Sequence, residues 1–306
     1  MDLKTFQNLP TKEVAQLVQE SGPKVCVFPI NGTRRWFLLE HGFPEQDFVE
    51  AYLAAIDDRH IKLYELLFEH GINTLLTPVI GPDILEREKN SNLVERGLMT
   101  WFGGNPDFVS FYDKYDIRVR VYGDAQRYLQ DTCIAHMLQA FDETVQRTAE
   151  HQSRRLFYGI CAHDATETIA EIGVRFYQQH NRLPNKREIV EVYYGEYVEP
   201  VSFFIGFGPF TAFDMPLLST GSEDLYFTIS PSPYLDTHAL RAILYDHIYV
   251  RPGEIDCTEL APEDWNRMRT FYRANLGRTL GIGEKHGGIW YPQSQIVVPG
   301  ESDFWR

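Results

Sequence analysis

Six short apolar segments, separated by longer amphipathic stretches, limit what this chain of 306 residues can fold into. The segments are rich in β-branched and aromatic residues, and Gly, Asn or Ser soon follows most of them, which is typical of buried strands that end in turns. Strands that alternate with helices predict an α/β fold with one mostly parallel central sheet of about six strands, flanked by helices. The predicted strands are residues 25–30, 72–79, 117–122, 156–161, 202–207 and 225–229.

The composition excludes several classes of protein. A net charge of −14 argues against a nucleic-acid-binding role, so any anion site must be a local basic pocket. The four cysteines are widely spaced without a Cys-x-x-Cys motif, and we expect reduced core residues of a cytoplasmic protein. No apolar stretch is long enough to span a membrane, so we expect no stable membrane insertion.

The first predicted strand runs into Asn31, Gly32 and Thr33, and two arginines follow, Arg34 and Arg35. Gly32 can adopt the positive φ of a sharp turn, and Asn31 or Thr33 can cap the helix that follows. A strand, a glycine turn and a helix start together point backbone N–H groups at an anion, and arginine side chains match phosphate oxygens bidentately. The pattern predicts a phosphate site at the carboxyl end of this strand.

Aromatic residues follow this basic pair directly, at Trp36 and Phe37. A ligand with a phosphate head and an apolar tail fits such neighbours. The alternative interpretation is a solvated helix start, because two arginines after a strand are common.

The ordered motifs of the chain resemble the cis-prenyltransferase (undecaprenyl diphosphate synthase) fold family, and most closely its diterpene branch. The resemblance covers about residues 22–250, and it implies a single domain over residues 1–306 with a C-terminal extension at 251–306. The motifs that carry it are Asn31-Gly32-Thr33-Arg34-Arg35-Trp36, Val121-Tyr122-Gly123-Asp124, Asp224-Leu225-Tyr226-Phe227 and Tyr193-Tyr194-Gly195-Glu196-Tyr197.

The resemblance implies an enzyme that ionises an allylic diphosphate. It assigns diphosphate binding to Gly32, Thr33, Arg34 and Arg35, with Arg35 also in a catalytic role. Tyr52 falls on a tyrosine that the diterpene branch uses near the reacting carbon, and ordinary helix packing is the alternative for it. The resemblance also implies Mg²⁺ as a cofactor, for which Asp224 is a candidate ligand, with a turn carboxylate as the alternative.

The cation left after ionisation needs an aromatic pocket that excludes bulk water. The candidates for this hydrocarbon pocket are Trp36, Phe204, Phe207, Phe210 and Phe213, although strand core is the simpler explanation for any one phenylalanine.

The segment at residues 205–213 argues against chain elongation, because it contains no arginine where the resemblance places the second diphosphate of elongating relatives. Buried diphosphate charge needs cationic partners.

The leading prediction is a diterpene synthase that ionises a bicyclic diterpenyl diphosphate of tuberculosinyl or kolavenyl type and captures the cation with water to give an alcohol. The alternatives are transfer to a nucleoside such as adenosine, or a non-catalytic partner subunit. The resemblance also implies a homodimer.

Asn31 stands where the family has a catalytic aspartate. A neutral amide is a poorer Mg²⁺ ligand than a carboxylate, so ionisation should be weaker if metal drives it. Alternatively, the amide donates a hydrogen bond to the diphosphate, and the site depends less on metal.

Overall fold

The six predicted strands form one parallel sheet in the computed structural model, which describes residues 1–43, 47–81, 84–85, 92–211, 217–252 and 257–298. Every neighbouring pair is parallel, and the strand order is β3-β4-β2-β1-β5-β6. The predicted α/β fold is therefore confirmed. The strands are β1 (Val25–Val27), β2 (Thr74–Ile80), β3 (Ile117–Tyr122), β4 (Arg154–Ile160), β5 (Phe203–Phe207) and β6 (Asp224–Thr228).

Helices connect the strands and cover both faces of the sheet. In chain order, the described α-helices are α1 (Leu3–Asn8), α2 (Thr11–Glu20), α3 (Thr33–His41), α4 (Phe48–Glu69), α5 (Asn92–Phe102), α6 (Pro106–Lys114), α7 (Ala125–Leu129), α8 (Met137–Arg147), α9 (Thr166–His180), α10 (Lys186–Tyr194), α11 (Thr237–Tyr245) and α12 (Pro262–Ala274).

Two helices differ from their predicted bounds. A single amphipathic helix is predicted over residues 3–20, but Pro10 separates α1 from α2, because the residue before a proline is disfavoured in helical conformation. A helix is predicted over residues 44–70. Its described part, α4, begins at Phe48 after Asp47, whose carboxylate accepts from the backbone N–H of Val49 at 3.0 Å. The predicted start at Pro44 lies outside the described residues.

Side chains alternate between two cores on either side of the sheet. In β1, Cys26 packs into one core with α1 and α4, whereas Val25 and Val27 face the other core beside α10. A third, smaller cluster of Phe37, Tyr52, Leu53 and Ile56 joins α3 to α4. This third cluster fixes the helix that follows β1 against the longest helix of the chain.

The C-terminal part of the chain adds α12 and a small antiparallel hairpin that the sequence analysis did not predict. The hairpin pairs β7 (Gly283–His286) with β8 (Ile289–Pro292). No helix within the described ranges is both long and apolar enough to span a membrane.

Candidate active site

The loop after β1 lies at the carboxyl edge of the sheet, which is the edge where the parallel strands end. Gly32 has φ +75°, in the left-handed region that favours glycine. A Cβ atom there would lie 2.7 Å from Phe207 Cε1 and 3.0 Å from Pro231 Cβ. Only glycine can therefore adopt this backbone turn and also leave room for Phe207 of β5 and for Pro231, which lie directly against it.

Gly32 is also the N-cap residue of α3, and no side chain in the described part of the chain caps this helix. The expected capping by Asn31 or Thr33 is thus not observed, because the Thr33 hydroxyl is hydrogen-bonded to the Tyr52 hydroxyl at 2.7 Å instead. Within the described ranges, the first N–H groups of α3 consequently have no side-chain acceptor. Together with the helix dipole, they form the kind of N-terminus that binds anions.

The backbone of Asn31 is held by Ser232, which lies far away in sequence. The N–H of Ser232 donates to the Asn31 carbonyl at 3.0 Å, and the N–H of Asn31 lies 3.1 Å from the Ser232 hydroxyl oxygen. The Ser232 hydroxyl also lies 3.4 Å from the Pro29 carbonyl. These bonds fix the backbone of the loop. They leave the side chain of Asn31 exposed at the opening of an adjoining cavity, which we call the mouth of the site.

Two exposed cationic side chains, Arg34 and Arg35, line the same mouth. The guanidinium of Arg35 lies 5.3 Å from the centre of the Phe207 ring, a cation–π distance. No carboxylate in the described part of the chain pairs with Arg35. A cation without an acidic partner, next to a bare helix N-terminus, is a site for an anionic ligand.

Tyr52 connects the loop to α4. Its ring is 8% exposed, stacks on Phe48 at 5.8 Å and meets the edge of Phe37 at 5.6 Å. Since its hydroxyl bonds to Thr33, the structure brings together the predicted loop residues and the predicted helix tyrosine, which are neighbours only in the fold.

A cavity of about 530 Å³ extends from this mouth between α4, the end of β2 and α5. This volume is within the range of small-molecule sites. The mouth is polar and the rest of the wall is largely apolar. The described lining residues are Ile30, Asn31, Gly32, Thr33, Arg34, Arg35, Tyr52, Leu53, Ile56, His60, Pro78, Val79, Ile80, Ile84, Leu93, Val94, Gly97 and Trp101.

Four of the five aromatic residues proposed for the hydrocarbon pocket lie outside the lining of this cavity. Phe204 is buried in the core beside α10, and Phe207 supports the loop from beneath. Phe210 is 51% exposed and stacks on Phe227, whereas Trp36 contacts His41. None of these four is among the described lining residues of the cavity. Phe213 lies outside the described residues.

Asp224, the proposed metal ligand, begins β6 and lies at the amino edge of the sheet, where the parallel strands start. Its carboxylate is 2.7 Å from His247 Nδ1 and accepts from Arg251 at 2.9 Å. The structure therefore does not bring Asp224 together with Asn31, because the two residues lie at opposite edges of one parallel sheet.

The donor atoms around the mouth do not fit a magnesium ion held by the protein alone. Magnesium is usually bound through one or two carboxylates together with substrate phosphates. No Asp or Glu is among the described lining residues, and no group of three His, Cys, Asp or Glu side chains within the described ranges could hold a metal. The amide of Asn31 is the nearest substitute for such a carboxylate.

The wall that α4 contributes was missed by the sequence analysis. Leu53, Ile56 and His60 follow Tyr52 at helical spacing, so they share the face that Tyr52 presents to the cavity. This spacing was the available signal, since one residue of the face was already assigned to the site.

The chain is similar over nearly its whole length to two characterised proteins. It is 39% identical to tuberculosinyl adenosine transferase of Mycobacterium tuberculosis over 293 residues, covering 95% of this chain and 98% of that protein. It is 26% identical to (+)-kolavelool synthase of Herpetosiphon aurantiacus over 306 residues, covering 96% of each. No family model matches the sequence.

Solved structures show the same fold at low sequence identity. Lavandulyl diphosphate synthase from Lavandula x intermedia, in complex with dimethylallyl diphosphate, superimposes with a TM-score of 0.60 at 12% identity, over 75% of this chain and 97% of that one. A probable undecaprenyl diphosphate synthase from Campylobacter jejuni gives 0.51 at 15% identity, over 77% and 98%.

Proposed function

The chain belongs to the family of tuberculosinyl adenosine transferase and is a prenyl-diphosphate-utilising enzyme; from this premise we propose that it transfers a diterpenyl group from diphosphate to an acceptor. The observation that carries the proposal is the cavity itself. Its mouth combines a bare helix N-terminus with two arginines, and its remaining wall is largely apolar.

The proposed reaction begins with heterolysis of the allylic C–O bond. Both electrons of the bond stay on the diphosphate oxygen, and an allylic cation remains in the cavity. The N–H groups of α3 and the guanidinium groups of Arg34 and Arg35 stabilise the leaving group as its charge develops. The apolar wall keeps bulk water from the cation.

Tyr52 is proposed to orient the acceptor. Its hydroxyl is fixed by Thr33 beside the mouth, where the reacting carbon of a bound diphosphate must lie. The acceptor atom forms the new bond to the cation with its own lone pair. Water then loses one proton, for which the released diphosphate is a sufficient base, whereas a ring nitrogen of a nucleoside carries no proton and its adduct retains the positive charge.

Two acceptors remain as candidates. A nucleoside such as adenosine comes first, because the relative at 39% identity is named for transfer to adenosine. Water, which gives a terpene alcohol as the sequence analysis predicts, comes second and is supported by the similarity to (+)-kolavelool synthase. Both acceptors use the same diphosphate site.

No step of this reaction is assigned to a metal, because the residues that the structure describes at the mouth offer no carboxylate. Magnesium dependence remains an expectation from the family resemblance, and so does the homodimer. Sedimentation at micromolar concentration tests the homodimer.

The test of the proposed function is incubation with a bicyclic diterpenyl diphosphate, with and without adenosine. We expect diphosphate release together with a diterpenyl nucleoside, identified by mass spectrometry. A terpene alcohol in both incubations supports water as the acceptor. The matched control is the double variant Arg34→Ala/Arg35→Ala, which should lose most diphosphate release. No release by the unmodified protein, with or without Mg²⁺, contradicts the proposal and leaves the partner-subunit interpretation.

A further inference from the structure

One polar side chain, His60, faces the cavity far from its charged mouth. His60 lies eight residues beyond Tyr52 on the same face of α4, which places it ~12 Å further along the helix. That distance is comparable to the length of a bicyclic diterpenyl tail. His60 therefore borders the end of the cavity that the proposed function assigns to the hydrocarbon skeleton, too far from the diphosphate to take part in ionisation.

The hydrogen bonding of His60 fixes it as an acceptor toward the cavity. Its Nδ1 lies 2.9 Å from the carbonyl oxygen of Ile56, and a carbonyl can only accept, so Nδ1 carries the proton. Burial lowers the pKa of His60 to about 4, which keeps the ring neutral near pH 7. Nε2 therefore presents a lone pair, and no hydrogen-bond partner for it exists within the described ranges.

Trp101, in the same wall, also carries a polar group that is not hydrogen-bonded. Its ring lies 5.3 Å from that of His60 at an interplanar angle of 72°, and its Nε1–H is buried without a hydrogen-bond partner among the described residues. A ligand made only of hydrocarbon leaves the His60 acceptor unpaired, which costs free energy in a water-excluded site. This end of the cavity thus fits a pure hydrocarbon poorly.

A trapped water molecule is a weaker explanation. Buried waters typically make two to four hydrogen bonds. Apart from the residues of the mouth and Trp101, the described side chains that line the cavity with His60, such as Ile56, carry no hydrogen-bonding group. The Nε1–H of Trp101 is buried, so it is not presented to a water molecule in the cavity. A group anchored by its own carbon skeleton needs no further partners, and it must be a donor, because Nε2 only accepts. An ammonium group would bring an unpaired charge into an apolar wall, whereas a hydroxyl is neutral.

We propose that His60 determines substrate specificity by accepting a hydrogen bond from a hydroxyl group on the ring end of the diterpenyl diphosphate. The preferred substrate is then an oxygenated bicyclic diterpenyl diphosphate. This inference rests on the proposed function, since it assumes that the diphosphate occupies the mouth and the ring system the inner end.

The experiment compares two diterpenyl diphosphates with the same bicyclic skeleton, one with and one without a ring hydroxyl, by kcat/KM for diphosphate release. The unmodified protein should prefer the hydroxylated substrate by about 10- to 100-fold, the scale that corresponds to leaving one buried polar group unsatisfied. His60→Leu should abolish the preference, whereas His60→Gln, which keeps an acceptor, should retain part of it. Ile56→Val is the matched control, because it alters the same wall without changing a polar group.

The outcomes separate the inference from the proposed function. Release from both substrates without preference, or an unchanged preference in His60→Leu, overturns the role of His60 while the proposed function stands. Release from neither substrate contradicts the proposed function, and binding of the two diphosphates by calorimetry then decides the inference: equal affinity, or no binding, overturns it. Thermal melts establish that each variant folds, and the preference of the unmodified protein needs no variant at all.

Discussion

The two edges of the central sheet use charge in opposite ways. At the amino edge, Asp224 is bound by His247 and Arg251, and Arg251 also reaches Asp246 at 2.5 Å. At the carboxyl edge, Arg35 stands beside a helix N-terminus with no acidic partner in the described part of the chain. The same residue types are therefore satisfied internally at one edge and left for a ligand at the other.

This difference separates structural charge from functional charge. In a paired cluster the charges already attract one another within the protein, so the cluster gains little free energy from an added ion. An arginine without a partner gains most when a phosphate arrives. Substitutions at the two edges should therefore change different measurable quantities, and four predictions test this.

The largest expected effect is that of Gly32→Ala at the carboxyl edge. The alanine must adopt a left-handed φ, and its Cβ would collide with Phe207. We therefore expect the free energy of unfolding to fall by about 2–4 kcal/mol. Gly208→Ala is the matched control, because its φ is +84° but no atom of the described residues lies within 4 Å of the added Cβ. Chemical denaturation measures both. Equal losses would mean that the contact with Phe207 does not constrain the loop.

Arg34→Ala or Arg35→Ala should weaken binding of a diterpenyl diphosphate by about 1.5–3 kcal/mol, the scale of charge-assisted hydrogen bonds. Arg251→Ala is the control at the amino edge. It breaks half-exposed ion pairs, so it should leave binding unchanged and cost at most about 1 kcal/mol of stability. Calorimetry and thermal unfolding separate the two. Unchanged affinity in both loop variants would identify the loop as a solvated helix start.

Asn31→Asp should raise the rate of diphosphate release about tenfold at saturating Mg²⁺, because a carboxylate recruits the metal as the leaving group gains charge. The gain should appear in turnover rather than in substrate affinity. A Mg²⁺ titration of both forms measures it. A slower Asp form at saturating Mg²⁺ would instead support an amide that donates to the diphosphate, in a site that depends less on metal.

The smallest effect concerns pH at the amino edge. Burial lowers the pKa of His247, and the carboxylate of Asp224 opposes this only in part. The unfolded chain therefore binds a proton more readily than the folded chain as pH falls below about 6.5, and stability should decline in that direction. His247→Gln should make the decline shallower, as denaturation at pH 7 and pH 5 would reveal. An identical pH profile would mean that His247 does not titrate in this range.

The sheet could be predicted because its information is local. Each strand is a short apolar run closed by a turn residue, and parallel order follows from the intervening helices. The loop after β1 was predictable for the same reason, since strand, glycine and arginines are contiguous. The small hairpin of β7 and β8 was not predicted, because strands of four residues are too short to show a clear alternation of apolar and polar residues.

The cavity wall depends on which helix faces meet, which no single segment reveals. Tyr52, Leu53 and Ile56 form a wall only because α4 packs beside α5 and the end of β2. Conversely, Phe204 alternates with its neighbours along β5 and faces the core beside α10. For Asp224 a local rule was available: a residue that precedes a parallel strand lies at the edge opposite to one that follows a strand.

The hydrogen bonds between Ser232 and the backbone of Asn31 determine when the site can be completed during synthesis. The ribosome makes the phosphate loop early, but the residue that fixes its backbone emerges about two hundred positions later. A nascent chain can form β1 and α4 before then, yet its loop lacks the bonds that give it final shape. We therefore expect the site to retain substrate only after Ser232 has been made, and a chain cut short before Ser232 should fail to retain diphosphate.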